Sequence, residues 1–332
     1  MIRSFYSGLL NQPGKKTNYN KLIFRAAISI LVLTALLWWL PLEQLLSAIA
    51  SVSMPVWLLV ISGFILGHIF SALKWRLLLR AVDANIRPME ALTAHGAGLF
   101  ANLCLPSIVG GDVIRAGVVI RNHGNITNIA VGSLADRVND TLALIMLAAV
   151  AAMMIPETAG LATGRIFAGI GALLLVCAFA GLATVYLAPV SRFPDKLANI
   201  ILKVRQALGS IARSPGIALT ALALSVAIQS GFILLNVVLA REIGIDASVA
   251  LWFFAWPLAK LIALAPVSLG GIGVREVAIA GLMAPFGIDA ALVVAQSLSW
   301  EAVLIGSGLF AGLIVTLLPG NTPSRENKGE LS

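Results

Sequence analysis

Apolar positions along this chain come in long runs, parted by short basic or Gly/Pro-containing stretches. A helix that crosses a bilayer needs about 20 apolar residues, and six runs meet that length: 22–41, 55–74, 126–154, 166–188, 216–240 and 288–318. Two further apolar stretches, 88–120 and 248–285, are interrupted by "LPSIVGGDVIR" (105–115) and "APVSLGGIGVRE" (265–276). One segment follows a different pattern. In "PDKLANIILKVRQALGSIA", Leu197, Ile200, Ile201, Val204, Leu208 and Ile211 recur at helical spacing, with Lys196, Lys203 and Arg205 elsewhere around the wheel. This predicts an amphipathic helix over 194–213 on the membrane surface, joining two halves of the chain.

The two interrupting phrases align at an offset of 160 residues, so that Pro106, Gly110, Gly111 and Arg115 superpose on Pro266, Gly270, Gly271 and Arg275. Upstream, Pro55 heads the second span as Pro215 heads the fifth. Each copy then holds two spans, a broken hairpin and a third span. Three crossings are an odd number, so the second copy must be upside down, the plan of many secondary transporters. The predicted organisation is an N-terminal arm 1–21, a first transmembrane repeat 22–155 with a re-entrant element at 88–120, a second repeat 156–318 with a re-entrant element at 248–285, and a tail 319–332.

The distribution of basic residues orients these elements. Arg3, Lys15, Lys16, Lys21 and Arg25 lie on the N-terminal arm and at the head of the first span; Lys74, Arg76, Arg80 and Arg87 come at and after the end of the second; Arg192, Lys196, Lys203, Arg205 and Arg213 precede the fifth; Arg325 and Lys328 lie in the tail. The intervening loops carry few. Excess Lys and Arg mark the cytoplasmic side, and the alternation is consistent only when each broken stretch enters and leaves on one face. Both termini are then expected in the cytoplasm, with the chain a multi-pass protein of the cell inner membrane.

Composition makes the membrane reading firm. The chain is 59% hydrophobic and 11% charged, with mean hydropathy +0.96, against about 45–50% and about 25% in soluble domains. The expected fold class is an all-α polytopic membrane protein with an inverted-topology repeat, about six spanning helices and two re-entrant broken hairpins. The formal charge of +8 is spread around the spans, which fits anionic lipid contact and excludes a nucleic-acid patch. Cys104 and Cys177 both lie in apolar stretches and define no disulfide framework. The basic start "MIRSFYSGLLNQPGKKTNYNKLIFR" is read as leading into an uncleaved first span with Trp38 and Trp39 at the interface, not as a signal peptide.

Helix breakers at membrane depth need a physical reason, because non-helical backbone is tolerated there only when buried in protein or lining a wet cavity. Proline ends the incoming half-helix, and a Gly-Gly pair lets the chain turn and a ligand approach the backbone. The outgoing half-helix then aims free N–H groups and its positive dipole end at the break, where an anion is the natural ligand. Candidate substrate-binding residues are therefore Arg115, Arg275, Gly110, Gly111, Gly270, Gly271, Ser107, Ser268 and Asn102, the last able either to cap or to bind. The competing reading makes both phrases tight turns, with Arg115 paired to Asp112 and Arg275 to Glu276. Candidate counter-charge or proton-accepting groups are Asp112, Arg137, Asp140, Glu276 and Glu301. Asp136 and Asp140 share a helix face with Arg137 between them, so an intrahelical ion pair competes with a functional role, and structure is favoured for Asp136. Lys260 is the expected partner of Glu301. His68, His95 and His123 show no metal-ligand spacing, and no phosphate-binding GxxxxGK[ST] loop occurs; no cofactor or metal is expected.

With these residues in place the chain resembles the transmembrane, flippase-like region of lysylphosphatidylglycerol synthases and its stand-alone relatives. The resemblance covers about residues 20–318 and is carried by "ALKWRLLLR" (72–80), "LPSIVGGDVIR", "GSLADRVND" (132–140) and "PVSLGGIGVRE" (266–276). It implies a polytopic protein that moves an amphiphilic lipid between leaflets. The closing "PGNTPSRENKGELS" leaves no aminoacyl-transfer domain, so synthesis of a lysylated lipid is not expected of this polypeptide. The family often places an arginine at the repeat mate of Arg137; aligning Gly124 with Gly287 puts Trp300 there, followed by Glu301. The reading is a lipid transporter for an anionic or phosphate-headed lipid, phospholipid or isoprenoid-linked, with membrane lipid as its partner. Lipid-synthesis enzymes and a second copy of the chain are the protein partners it allows. Alternatives are an integral-membrane enzyme acting on a lipid phosphate and a scaffold for lipid synthesis.

Overall fold

The computed structural model describes residues 42–104, 110–124, 126–155, 194–263 and 273–317, with isolated positions between 169 and 190. The run at 22–41, most of 166–188, both termini, and Pro106, Ser107, Pro266, Ser268, Gly270 and Gly271 lie outside these residues. Ten α-helices are described: α1 (Leu42–Ala50), α2 (Met54–Arg80), α3 (Pro88–Cys104), α4 (Gly110–His123), α5 (Ile126–Met154), α6 (Asp195–Ala212), α7 (Pro215–Glu242), α8 (Val249–Ile262), α9 (Val274–Met283) and α10 (Ala290–Leu317). A short 3-10 turn, Ala284–Phe286, follows α9. Among the described residues four helices, α2, α5, α7 and α10, are long and apolar enough to cross a membrane. The protein is an all-α polytopic membrane protein.

Local sequence explains where these helices begin. Pro55 and Pro215 sit in the first turns of α2 and α7, where a missing N–H costs no hydrogen bond. Ser248 Oγ accepts from the N–H of Leu251 at the head of α8 (3.2 Å), and Asp289 Oδ1 from that of Ala291 at the head of α10 (2.7 Å). Both are side-chain caps that satisfy otherwise orphaned donors. In α2 apolar residues cover the whole circumference, and Leu58, Leu59, Leu66 and Phe70 are exposed. A helix greasy on every side is at home in lipid.

The two halves repeat each other in space. The series α1 to α5 corresponds in order to α6 to α10, with the long helices α2 and α5 matched by α7 and α10, and the packing obeys the same correspondence. Helix α3 packs on α10 as α8 packs on α5; α3 pairs with α4 as α8 pairs with α9; α1 lies on α10 as α6 lies on α5. The repeat mates α2 and α7 pack on each other at the centre. Their register runs in opposite directions. Ser53 N–H meets Glu242, a Cβ on Gly63 would meet Leu235, one on Gly67 would meet Phe232, and Lys74 reaches Ser225. Residue numbers rise along one helix as they fall along the other, so the mates are antiparallel and the halves are inverted. Glycine on α2 lets the helices approach closely there, a common device where lipid supplies no hydrophobic drive.

Both broken stretches fold as helical hairpins. Asn102 of α3 faces Gly111 of α4, Gly98 faces Gly111 and Arg115, and His95 faces Arg115, an antiparallel descent. The outer ends of α3 and α4 therefore lie together, beside the end of α2 and the start of α5. That end of the bundle carries Arg80, Arg87, Arg121 and Arg213, and the opposite end carries Glu43, Glu242, Asp246 and Asp289 with Arg241. Helix α2 runs six residues beyond the span read at 55–74, and this overturns one expectation: Lys74 does not flank the membrane but lies inside α2 at 1% exposure.

Candidate functional site

The first ion cluster gathers side chains from four helices. Lys74 of α2 lies 3.1 Å from Asp136 of α5, pairs with Asp140 one turn further on, and donates to Ser225 Oγ of α7 (2.9 Å). Ser225 in turn donates to Asp140 (2.7 Å) and accepts from Asn139 Nδ2 (2.8 Å). Arg115 of α4 donates to Asp136 Oδ2 (3.0 Å), lies 3.2 Å from Asp112, and stacks its guanidinium 4.5 Å over the ring of Trp75. Arg137 reaches Asp112 at 3.3 Å. Three cations thus meet three carboxylates.

The second cluster repeats this arrangement with fewer parts. Arg275, in the first turn of α9, donates to Glu276 Oε1 (2.8 Å) and Glu301 Oε2 of α10 (2.7 Å), with its guanidinium 5.7 Å from the Trp256 ring. Glu276 also accepts from Ser297 Oγ (2.9 Å) and from the N–H of Gly273 (2.6 Å). The latter is the bond by which an acidic third residue ties down a helix start. Gly273 itself is left-handed, with φ 84°, a conformation open to glycine at no steric cost. Lys260 at the end of α8 donates to Gln229 Oε1 (3.1 Å). It does not pair with Glu301, whose partner is Arg275, so the expected Lys260–Glu301 pair is replaced by one within the repeat.

Exposure divides these groups into two sets. The side chains of Lys74, Asp136, Arg115 and Glu276 are 1%, 4%, 6% and 1% exposed, whereas those of Asp112, Arg137, Asp140 and Glu301 are 29%, 33%, 29% and 22% exposed. The first set is sealed, and each sealed charge meets an opposite one, as burial demands. The second set borders accessible space, with Arg137, Asp140 and Glu301 in the middle of long apolar helices and Asp112 in the first turn of α4. Lys260 belongs beside it, since the charges acting on that ammonium are those of Asp140, Arg137, Arg275 and Lys74.

The residues singled out from sequence therefore take different places. Arg115 and Arg275 are both buried, both hold carboxylates and both face tryptophan; Arg275 lies in the first turn of its helix and Arg115 in the second. Gly110 opens α4. Gly111 is a packing glycine, where a Cβ would lie 2.5 Å from the backbone oxygen of Gly98. Asn102 Oδ1 accepts from the N–H of Gly111 (2.8 Å), so of the two roles open to it, the structure shows the cap. The intrahelical Arg137–Asp140 pair does not form: Arg137 turns to Asp112 and Asp140 to Lys74. Ser107, Ser268, Gly270 and Gly271 lie outside the described residues. Sequence reasoning missed Lys74, Trp75, Ser225 and Trp256. The one signal for Lys74 was a lysine in register with the apolar run of α2, six residues before the arginine that ends it.

No curated protein matches the chain. A family profile described as the lysylphosphatidylglycerol synthase TM region matches residues 26–312, which includes every described helix up to the last turns of α10. By that match over most of its length, the chain belongs to the lysylphosphatidylglycerol synthase transmembrane-region family.

Proposed function

We propose that this protein is a lipid transporter of the inner membrane that carries an anionic, phosphate-bearing headgroup between leaflets while the chains stay in lipid. The observation that carries this reading is the presence of partly exposed opposite charges within the apolar bundle, Asp112 with Arg137, Asp140 with Lys74, and Glu301 with Arg275. Charges placed inside a membrane are costly and mark transport paths or relays by default. Arg137, Lys260 and Arg275 are the headgroup donors; Asp112, Asp140 and Glu301 compete for the same cations and let the headgroup leave. Arg115 and the sealed carboxylates hold the hairpin in place. The two helical hairpins are re-entrant, approaching from opposite leaflets, with the arginine-rich end of the bundle in the cytoplasm together with both termini. Inverted halves built around a central site are the architecture of alternating access.

The chemistry favours carriage over catalysis: among the described residues each partly exposed carboxylate of the two clusters faces a cation, and the hydroxyl on Asp140, that of Ser225, is fully buried and held by Lys74 and Asn139. The partner is membrane lipid, phospholipid or isoprenoid-linked; lipid-synthesis enzymes and a second copy of the chain are the proteins with which it would assemble. The test is a leaflet-asymmetry assay in proteoliposomes with labelled anionic and zwitterionic lipids. Anionic lipid should cross faster with the protein than without it, and Arg137→Gln should remove at least tenfold of that rate at equal folded yield. Equal rates for both variants, or chemical conversion of the lipid, would refute the reading.

A further inference from the structure

An apolar groove of about 330 Å³ runs between α2, α3 and α10, apart from the ion clusters. Its rim includes Ile69, Met89 and Phe310, exposed by 38%, 57% and 50%. Along α3 the lining extends from Met89 to Leu99, ten residues or about 15 Å at 1.5 Å per residue. That is half of a hydrocarbon core about 30 Å thick. The groove thus spans one leaflet, beginning at the end of the bundle that carries Arg80, Arg87 and Arg121. Its rim is made of exposed apolar side chains on helices of a membrane protein, which suits an occupant drawn from the bilayer.

The inner part of the groove is not plain hydrocarbon. Ser307 is 3% exposed, lines the groove, and its hydroxyl has no hydrogen-bond partner among the described residues. An unpaired buried hydroxyl costs about 1–3 kcal/mol, and a ligand oxygen would remove that cost. His68 and His95 line the same space, with Nδ1 of His68 3.0 Å from Nε2 of His95, and Nδ1 of His95 3.3 Å from Arg115 Nη1. A guanidinium can only donate. His95 Nδ1 must therefore accept, its Nε2 carries the proton and donates to His68 Nδ1, and the proton of His68 sits on Nε2. The relay from Arg115 ends in a second N–H donor at the groove.

We infer that this groove is a lateral binding site for one hydrocarbon chain of a membrane lipid whose ester or phosphoester oxygen accepts from Ser307 and His68. The inference deepens the transport reading and rests on it for direction only: the groove joins the leaflet on the arginine-rich side to the Arg115 network. The ligand class is an acylated amphiphile with an oxygen acceptor at the root of its chain.

The experiment reconstitutes the full chain in vesicles of phosphatidylcholine and phosphatidylglycerol containing phosphatidylglycerol with a diazirine on one acyl chain, irradiates them, and maps the labelled peptides by mass spectrometry. Labels are expected on 64–72, 89–99 and 307–315. Ala311→Phe, which fills the groove, should lower them at least fivefold. The pair Ser307→Ala and His68→Phe should lower them two- to fivefold, with folded yield checked by size-exclusion profile and thermal unfolding. Labels confined to other surfaces, or groove labels unchanged by Ala311→Phe, overturn the proposal. So does a groove filled by the chain's own apolar segment 22–41, which a disulfide between Ala311→Cys and a cysteine placed in that segment would reveal. Translocation without groove labelling sinks this site and leaves the transport reading standing; groove labelling without translocation does the reverse.

Discussion

The two halves of this protein place an arginine at the start of the outgoing hairpin helix, lay it against a tryptophan and hand it to a carboxylate on the next long helix. They differ in what surrounds that pair. In the first half, Lys74 and Asp136 join α2 to α5 by charge; in the second, the corresponding helices α7 and α10 are joined by amides, with Gln296 Nε2 donating to Asn236 Oδ1 at 2.7 Å. The first cluster balances three cations with three carboxylates, and the second sets two carboxylates on one arginine. The same backbone plan therefore carries a closed charge network on one side and an excess of negative charge on the other. Lys260 of α8 has a neutral glutamine, Gln229, as its hydrogen-bond partner. An inverted repeat that had stayed symmetric would bind its cargo equally from both leaflets. On the transport reading proposed above, divergence at these few side chains would give the two openings different affinities.

The sharpest way to break this comparison is by labelling. Cysteines replacing Asp83 and Gly287, each in a turn after a helix of its own half, should react with an impermeant maleimide from opposite faces of the membrane, an all-or-none result. Reaction from one face would end the inverted arrangement. Next in size is Asp136→Ala, which leaves Lys74 and Arg115 facing each other in a sealed site. The loss is expected at about 3–5 kcal/mol, read as a collapse of the monodisperse size-exclusion peak or a large drop in unfolding temperature. Asn236→Leu, the matching lesion in the second half, strands Gln296, whose Oε1 already has no partner. The cost there is about 1–3 kcal/mol, and a loss equal to that of Asp136→Ala would erase the distinction drawn between the halves.

Smaller still is the expected structural effect of Glu301→Gln. Arg275 keeps Glu276, and a partly exposed pair is worth about 1 kcal/mol or less. Its consequence should show in transport, where anionic lipid is released more slowly from one side than from the other. A variant with unchanged rates in both directions would remove Glu301 from the path. Smallest is a control within one helix. Gly117→Ala meets nothing within 4 Å and should stabilise α4 slightly, by up to about 1 kcal/mol. Gly111→Ala, whose Cβ would press on backbone, should destabilise it by about 1–3 kcal/mol. The pair separates a hairpin held by close approach from one held by its ion pairs alone.

How much of this was legible depends on whether a residue's role is local. Pro55 and Pro215 announced two helix starts, because breakers act on their own backbone, whereas Gly110 and Gly111, read as a turn, fall in the first turn of α4. Arg115 and Arg275 stood out because a guanidinium inside an apolar run is rare. The partners did not stand out. Asp136 lies 21 residues from Arg115 and 62 from Lys74, and nothing in those separations says that three helices turn those side chains to one point. Lys74 was misplaced because the end of α2 is set by packing and water, while hydropathy falls at the first cation. Asn102 is polar beside a break, and only the 2.8 Å contact with Gly111 tells cap from ligand.

The sequence by itself determined that this chain lives in lipid, that its helices come in two matching series, and that an arginine follows each break. Composition and periodicity carry those facts because the hydrophobic effect and backbone sterics act on each segment alone. Only the tertiary structure decided which charges are sealed and which face open space, that the mates α2 and α7 pack on each other at the centre, and that Ser307 and the histidine pair share a groove. Those outcomes depend on where side chains from distant segments meet in a medium that punishes every unpaired charge, and a pairing of that kind exists only once the helices are packed.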